Sequence, residues 1–186
     1  MTDPLPHLEH SAAPDPGTAP DGSRQEGLVR SDADSVLPSA NRARLDSIFR
    51  EDAYNRTLGI EVAAWGVGWA EVSYYPTTRH SNFIGTLHGG AIFSVADAAL
   101  GLASNSHGRQ CFAVSIEAHY LAIPNRDERL LARAVERHVG QRIASYLIDV
   151  TGPERGLVAS FQALVHRSNR WHLGDDAWPA SWRSAH

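Results

Sequence analysis

Apolar and polar positions recur along this chain with two different periods, and the periods predict its elements. Large apolar residues return every three or four positions from about Asn41 to Gly59, which predicts an amphipathic helix. Two segments with the alternation of strands follow, Ile60–Trp65 and Trp69–Tyr75. The Gly66-Val67-Gly68 sequence between them is typical of a hairpin turn.

A nearly uniform apolar segment predicts a second, longer helix from about Gly89 to Asn105. Four further strands are predicted after it: Cys111–Ile123, Leu130–Val139, Arg142–Thr151 and Leu157–His166. The short turns favour antiparallel pairing and an α+β fold class. A single long apolar helix can then be covered only by a sheet that wraps around it.

The two ends of the chain differ in composition from its centre. Residues 1–38 are rich in Pro, Asp, Ser, Gly and Ala, so we expect a disordered N-terminal tail. Residues 41–167 are expected to form one domain. Residues 168–186 form a C-terminal tail with three tryptophans and no clear periodicity, which the pattern assigns neither to the domain nor to a partner.

Charge and composition exclude several classes of function. Residues 1–40 hold seven acids and two arginines, a balance of −5, whereas residues 41–186 hold fourteen acids and fifteen arginines, a balance of +1. No long basic stripe indicates nucleic acid. All 17 basic residues are arginine, which excludes a catalytic lysine, and the single Cys111 excludes an intrachain disulfide.

The sequence also predicts a location and offers no metal site. The N-terminus has no secretory signal, and no apolar stretch approaches the ~20 residues that span a bilayer, so we expect a cytoplasmic protein without a membrane partner. No histidine pair has metal-ligand spacing, and no metal is predicted.

Asp97 is the only charged residue between His88 and His107, in a helix predicted to be buried on most faces. An ionised carboxylate there costs free energy unless it is paired, hydrogen-bonded or used chemically. Such acids serve as general bases or nucleophiles, although a structural acid that bonds the backbone fits the same pattern. Asp97 is the leading catalytic candidate.

His88, Gly89 and Gly90 lie at the predicted start of this helix, where free N–H groups with partial positive charge can hold an oxyanion. Asp97 follows Gly89 by eight residues, which is about 12 Å along the axis, so both groups of one helix cannot reach the same carbon. Two antiparallel helices from two subunits could. The spacing therefore predicts a composite site at a twofold dimer interface.

The spacing of these motifs resembles one known family, the hotdog-fold acyl-CoA thioesterases of the phenylacetic acid degradation type. The residues that carry the resemblance are Asn82, His88-Gly89-Gly90, Phe93-Ser94-Val95-Ala96-Asp97, Asn105-Ser106-His107-Gly108, Ile116, Tyr120-Leu121, Pro124 and Gly140-Gln141-Arg142. The resemblance covers about Leu58 to His166 and leaves both ends of the chain outside.

The resemblance implies hydrolysis of an acyl-CoA thioester, with an aromatic acyl group suggested by the family name alone. Asp97 would be the general base on water or the nucleophile, and Gly89 would donate its N–H to the thioester carbonyl. Asn82 would position water or the carbonyl. His88 would hold the junction of loop and helix and bond near the carbonyl.

Gly90, Ser94 and Arg142 complete the expected site as substrate-binding residues, with Arg142 as the candidate for the CoA phosphates. The resemblance further implies a homodimer or homotetramer. No cofactor is expected, because CoA belongs to the substrate.

Three other functions compete with this interpretation. An acyl-CoA sensor would bind without turnover, but it has no use for the charge of Asp97. A hotdog dehydratase normally pairs a histidine with an acid at the reacting carbon, which His88 and Asp97 fit poorly. A structural protein that acts through its tryptophan-rich tail has no positive support.

Overall fold

The computed structural model describes residues 37–125 and 127–186. The predicted disorder of residues 1–38 therefore falls outside the described residues, except for Leu37 and Pro38. The elements in chain order are α1 (Ser39–Arg50), α2 (Ala53–Leu58), β1 (Ile60–Gly66), β2 (Trp69–Tyr74), α3 (Gly89–Asn105), β3 (Arg109–Tyr120), β4 (Leu130–Val139), β5 (Ile143–Gly152), β6 (Gly156–Trp171) and α4 (Ala180–Ala185).

The six strands form one antiparallel sheet in the order β1-β2-β4-β5-β6-β3. Helix α3 contacts all six strands, so the sheet curves around it. The expectation of an antiparallel sheet wrapped around one long helix is confirmed. The strands β1 and β3 are the two edges of the sheet.

Small apolar residues make this close packing of α3 possible. Val95, Ala99 and Ala103 are completely buried in the helix, and Val72 and Ala132 are completely buried in the strands. Alanine lets the backbones of helix and sheet approach, and β-branched residues fill the pleated surface. Although α3 is apolar, no helix among the described residues has the length and hydropathy to cross a membrane.

The first predicted helix, Asn41 to Gly59, is divided into α1 and α2. The division lies at Asp52, whose carboxylate accepts a hydrogen bond from the Asn55 N–H at 2.8 Å and so begins a new helix. Gly59 ends α2 with a φ of +74°, a conformation that favours glycine. The apolar residues keep the helical period on both sides of Asp52, so the pattern predicted one helix. The break depends on the backbone conformation at the cap, which the pattern does not specify.

The C-terminal segment packs on the body of the domain. Strand β6 continues to Trp171, four residues beyond the boundary expected at residue 167. Trp178 and Trp182 are buried, and their indole N–H groups donate to main-chain oxygens of His172 at 2.6 Å and His107 at 2.9 Å. Each indole therefore buries a large apolar surface and keeps its polar atom satisfied.

Candidate active site

The start of α3 is capped by a side chain that precedes it. His88 has extended backbone angles, and its Nδ1 atom accepts the Gly90 N–H at 2.8 Å. Because Nδ1 accepts, a neutral His88 ring carries its proton on Nε2. The Gly89 N–H has no acceptor among residues 37–125 and 127–186. The cap thus leaves the Gly89 N–H as the available donor at this helix end.

Asn82 braces the loop that leads into α3. Its Oδ1 accepts the N–H groups of Ile84 and Thr86, each at 3.1 Å, and its Nδ2 donates to the Thr86 hydroxyl at 2.7 Å. Both polar atoms of the side chain are therefore engaged within its own loop. The N–H of His88 is fixed in turn by the His80 carbonyl at 2.8 Å. These hydrogen bonds make Asn82 a turn residue that positions the start of α3.

Asp97 lies two turns further along α3, on a helix surface that is exposed in the single chain. The other faces of α3 are largely buried, as the apolar pattern predicted. The carboxylate has no hydrogen-bond or ion-pair partner in the described part of the chain. It lines an apolar crevice, too narrow for a water molecule, together with Phe93, Ala96, Leu100, Ile116, Ile148 and Phe161.

This environment changes the acidity of Asp97. The apolar atoms of the crevice desolvate the carboxylate and raise its pKa above the ordinary value, and the negative charge of Asp52 adds to the shift. Asp52 caps α2 and lies far away in the sequence, so no local motif indicated its influence. A carboxylate with a raised pKa and no partner is suited to accept a proton.

Ser94 has partners other than Asp97. Its hydroxyl donates to the Gly90 carbonyl at 2.9 Å and lies 3.0 Å from the Tyr54 hydroxyl of α2. It therefore connects two helices beside the helix start. Within the described part of the chain, no hydrogen bond joins Ser94 to the carboxylate of Asp97, although both lie on α3.

Tyr120 is a further residue at the start of α3, and its sequence position indicated only a strand residue. Its hydroxyl donates to the Gly89 carbonyl at 3.3 Å, and a Cβ built on Gly89 would lie 3.6 Å from its ring. Because Tyr120 ends β3 and Gly89 begins α3, this contact closes the site on the side of the edge strand. Only the tertiary fold brings these two residues together.

Arg142 lies at the opposite end of the domain from Gly89. It is exposed on the β4–β5 turn, and its carbonyl accepts the N–H of Arg167 near the end of β6. That end of the sheet contains Arg109, the first residue of β3, whereas Tyr120 at the other end of β3 contacts Gly89. Twelve extended residues span about 36 Å, so one chain does not bring Arg142 to the start of α3.

Asp97 and the Gly89 N–H are likewise separated within one chain. Helix α3 is continuous from Gly89 to Asn105, so eight residues place the two groups about 12 Å apart along its axis.

No group of three metal-ligating side chains occurs among the described residues.

Comparison with known proteins agrees with this architecture. The profile of the family described as Thioesterase superfamily matches residues 84–159, which include Asp97 and the whole of α3. The acyl-coenzyme A thioesterase PaaI of Escherichia coli is 31% identical over 121 residues, which are 65% of this chain and 86% of that protein.

Two solved structures extend the comparison. The PaaI protein of the Escherichia coli phenylacetic acid degradation operon has a TM-score of 0.67 at 28% identity, covering 72% of this chain and 96% of that one. A protein of Thermus thermophilus has a TM-score of 0.61 at 36% identity, covering 63% and 99%.

Proposed function

Because the chain belongs to the thioesterase superfamily and is a hotdog-fold thioester hydrolase of the PaaI type, we propose that it hydrolyses an acyl-CoA thioester to a free acid and CoA. The observation that carries the proposal is Asp97, an unpartnered carboxylate with a raised pKa in an apolar crevice. The CoA enters as part of the substrate, and the reaction invokes no cofactor or metal.

Two groups carry out the proposed reaction, the carboxylate of Asp97 and the N–H of Gly89. In the general-base route, Asp97 takes a proton from water as the water oxygen attacks the thioester carbon, and the proton then goes to the departing CoA sulfur. In the nucleophilic route, an Asp97 oxygen attacks the same carbon and expels the thiolate, and water cleaves the resulting anhydride. In both routes the Gly89 N–H stabilises the charge on the carbonyl oxygen.

We further propose that the two groups come from different subunits. Within one α3 they are about 12 Å apart along the axis, whereas two antiparallel copies of α3 would bring them together. The edge strand β3 supports this assembly, since Phe112 and Val114 are 57% and 58% exposed there. A second copy would cover this apolar edge in a homodimer, and two dimers would form a homotetramer.

The proposed acyl group is aromatic. Phe93 and Phe161 pack edge to face, with ring centroids 5.9 Å apart, and both line the crevice beside Asp97. The crevice itself is too narrow for a ring and Phe161 is fully buried, so an aryl group would pack against the partly exposed Phe93 beside Asp97. The origin of the related Escherichia coli protein in a phenylacetic acid degradation operon agrees with an aromatic acyl group.

A cytoplasmic location remains a prediction.

The activity is tested by measuring free thiol released from phenylacetyl-CoA, benzoyl-CoA and straight-chain acyl-CoAs, with wild type beside Asp97→Asn. We expect wild-type turnover, highest with the aryl substrates, and a loss of about 10²–10⁴-fold in Asp97→Asn. Glu61→Gln, at an exposed acid of β1, is the matched control. Near wild-type turnover in Asp97→Asn would contradict the assigned role.

Subunit complementation tests the composite site. Asp97→Asn loses the carboxylate, and Gly89→Pro loses the N–H. If each site uses one group from each subunit, a mixed dimer of these two variants contains one intact site. An equal mixture should then regain about a quarter of wild-type activity, because half of the dimers are mixed and each has one of two sites. No recovery in a verified mixed dimer would place both groups in one subunit.

A further inference from the structure

A large basic pocket lies at the end of the domain remote from His88. Its walls are the β4–β5 turn, the last residues of β6 and helix α4, and they enclose about 770 Å³. The charged side chains in the lining are Arg109, Arg142, Arg167 and Arg183, and neither aspartate nor glutamate lines it. The pocket therefore offers an anion four guanidinium groups, two of which already donate to the main-chain oxygen of the lining residue His186.

Two of these arginines are held rigidly by the fold. Arg167 is buried, and its guanidinium donates to main-chain oxygens of Gly140 and His186. Arg109 donates to the Ser168 carbonyl at 2.8 Å, and more weakly to the same His186 oxygen at 3.4 Å. Both guanidiniums are therefore engaged with main-chain oxygens, which leaves Arg142 and Arg183 to meet a ligand.

The other two arginines are placed to bind a ligand. Arg142 is exposed on the turn, and its guanidinium has no partner in the described part of the chain. Arg183 on α4 has a long ion pair with the exposed Asp175, at 3.9 Å. Because they come from different elements, Arg142 and Arg183 can approach one anion from two walls. Guanidinium groups match the oxygens of a phosphate in bidentate geometry.

The aromatic residues of the pocket add a second recognition element. Trp171 lines the wall and is partly exposed, so its ring offers a surface on which a heteroaromatic base can stack. The pocket volume lies within the ~300–1,000 Å³ typical of small-ligand sites. Phosphate-binding cations beside an exposed indole suit a phosphorylated nucleoside.

The site depends on a segment outside the family match. The matched region ends at residue 159, whereas Arg167, Trp171 and Arg183 follow it. We propose that this pocket binds a phosphorylated nucleoside, with Arg142 and Arg183 on the phosphate and Trp171 against the base. The ligand is either a free nucleotide or the nucleotide end of CoA. Only the second source rests on the proposed function.

Titration calorimetry on the full chain tests the proposal, with ADP, CoA and pantetheine as probes. We expect ADP and CoA to bind and pantetheine, which has no phosphate, not to bind in this pocket. The double variant Arg142→Gln/Arg183→Gln should weaken ADP binding about ten-fold or more, since hydrogen bonds to charged groups are lost. Arg137→Gln, at an exposed arginine of β4 outside the pocket, should bind ADP as wild type does.

Competition identifies the source of the ligand. CoA that displaces ADP assigns the pocket to the nucleotide end of CoA, and ADP binding that CoA does not disturb assigns it to a free nucleotide. The proposal is overturned if ADP does not bind at millimolar concentration, or if the folded double variant binds it as wild type does. Acyl-CoA hydrolysis is assayed separately: ADP binding without hydrolysis contradicts the proposed function alone, and hydrolysis without ADP binding contradicts this proposal alone.

Discussion

The Nδ1 atom of His88 accepts the Gly90 N–H at 2.8 Å, so the cap of α3 occupies the second glycine and leaves the first available. This relationship separates the roles of two adjacent glycines that look equivalent in the sequence. Gly90 belongs to the cap, and the Gly89 N–H remains available as a donor. The proposed oxyanion donor can therefore be removed without removing the cap.

Gly89→Pro should lower turnover by about 10²–10³-fold, because proline removes the one N–H proposed to hold the oxyanion. Proline is favourable at the first helical position, and the φ of −67° and ψ of 134° at His88 suit a residue before proline. Gly89→Ala is the matched control, since its Cβ meets Tyr120 at an ordinary 3.6 Å and the N–H remains. Equal activities of the two variants in the thiol-release assay would exclude the Gly89 N–H as donor.

Asp97→Asn should raise the melting temperature at neutral pH even though it lowers turnover. The pKa of Asp97 is raised in the folded protein by desolvation and by Asp52. An acid with a raised folded pKa destabilises the fold as pH rises above its unfolded value, so stability is lost on ionisation. The gain from Asp97→Asn should be present at pH 7 and vanish below about pH 3.8, the ordinary value. Thermal unfolding across this range measures it, and a variant less stable at pH 7 would contradict the desolvation.

Glu128→Gln should destabilise the protein by about 1–3 kcal/mol at pH 7. Burial by itself would raise the pKa of Glu128, but hydrogen bonds from the N–H groups of Glu154, Asn125 and Arg155, with the charge of Arg155, lower it overall.

A lowered folded pKa stabilises the protein above the unfolded value of 4.5 and loses this contribution as pH falls through the folded pKa. Urea unfolding should therefore show a difference between wild type and Glu128→Gln at pH 7 that shrinks below pH 4.5. Glu61→Gln, at an exposed position, should show no such difference at either pH. A pH-independent effect of Glu128→Gln would contradict the linkage.

Gly108→Ala should destabilise the protein much more than Gly156→Ala. Both glycines have positive φ, +90° and +64°, so each alanine costs roughly 1–2 kcal/mol of backbone strain. A Cβ at Gly108 would also lie 2.3 Å from the buried Trp178 ring, whereas a Cβ at Gly156 meets nothing within 4 Å. This overpacking adds about 1–3 kcal/mol. Equal melting temperatures of the two variants would show that Trp178 does not hold the C-terminal segment against α3.

Local pattern accounted for most of the secondary structure. The bounds of α3 agree with its apolar run because a buried helix must be apolar along its whole length. The break at Asp52 was missed, since the helical period continued across a cap whose hydrogen bond to Asn55 the period does not reveal. The sequence indicated Asp97 because it is the only charged residue in an apolar helix, and Gly89 because it is one of two glycines at the start of that helix.

By itself, the sequence determined the element order, the covered helix, the acid within that helix and the eight-residue separation of Asp97 from Gly89. These depend on neighbours along one element, where residue spacing translates directly into distance. The tertiary structure decided which groups have partners: Tyr120 beside Gly89, Asp52 acting on Asp97, and the arginines that line the remote pocket. Contacts between distant segments depend on how the sheet closes around α3, and sequence spacing does not specify that geometry.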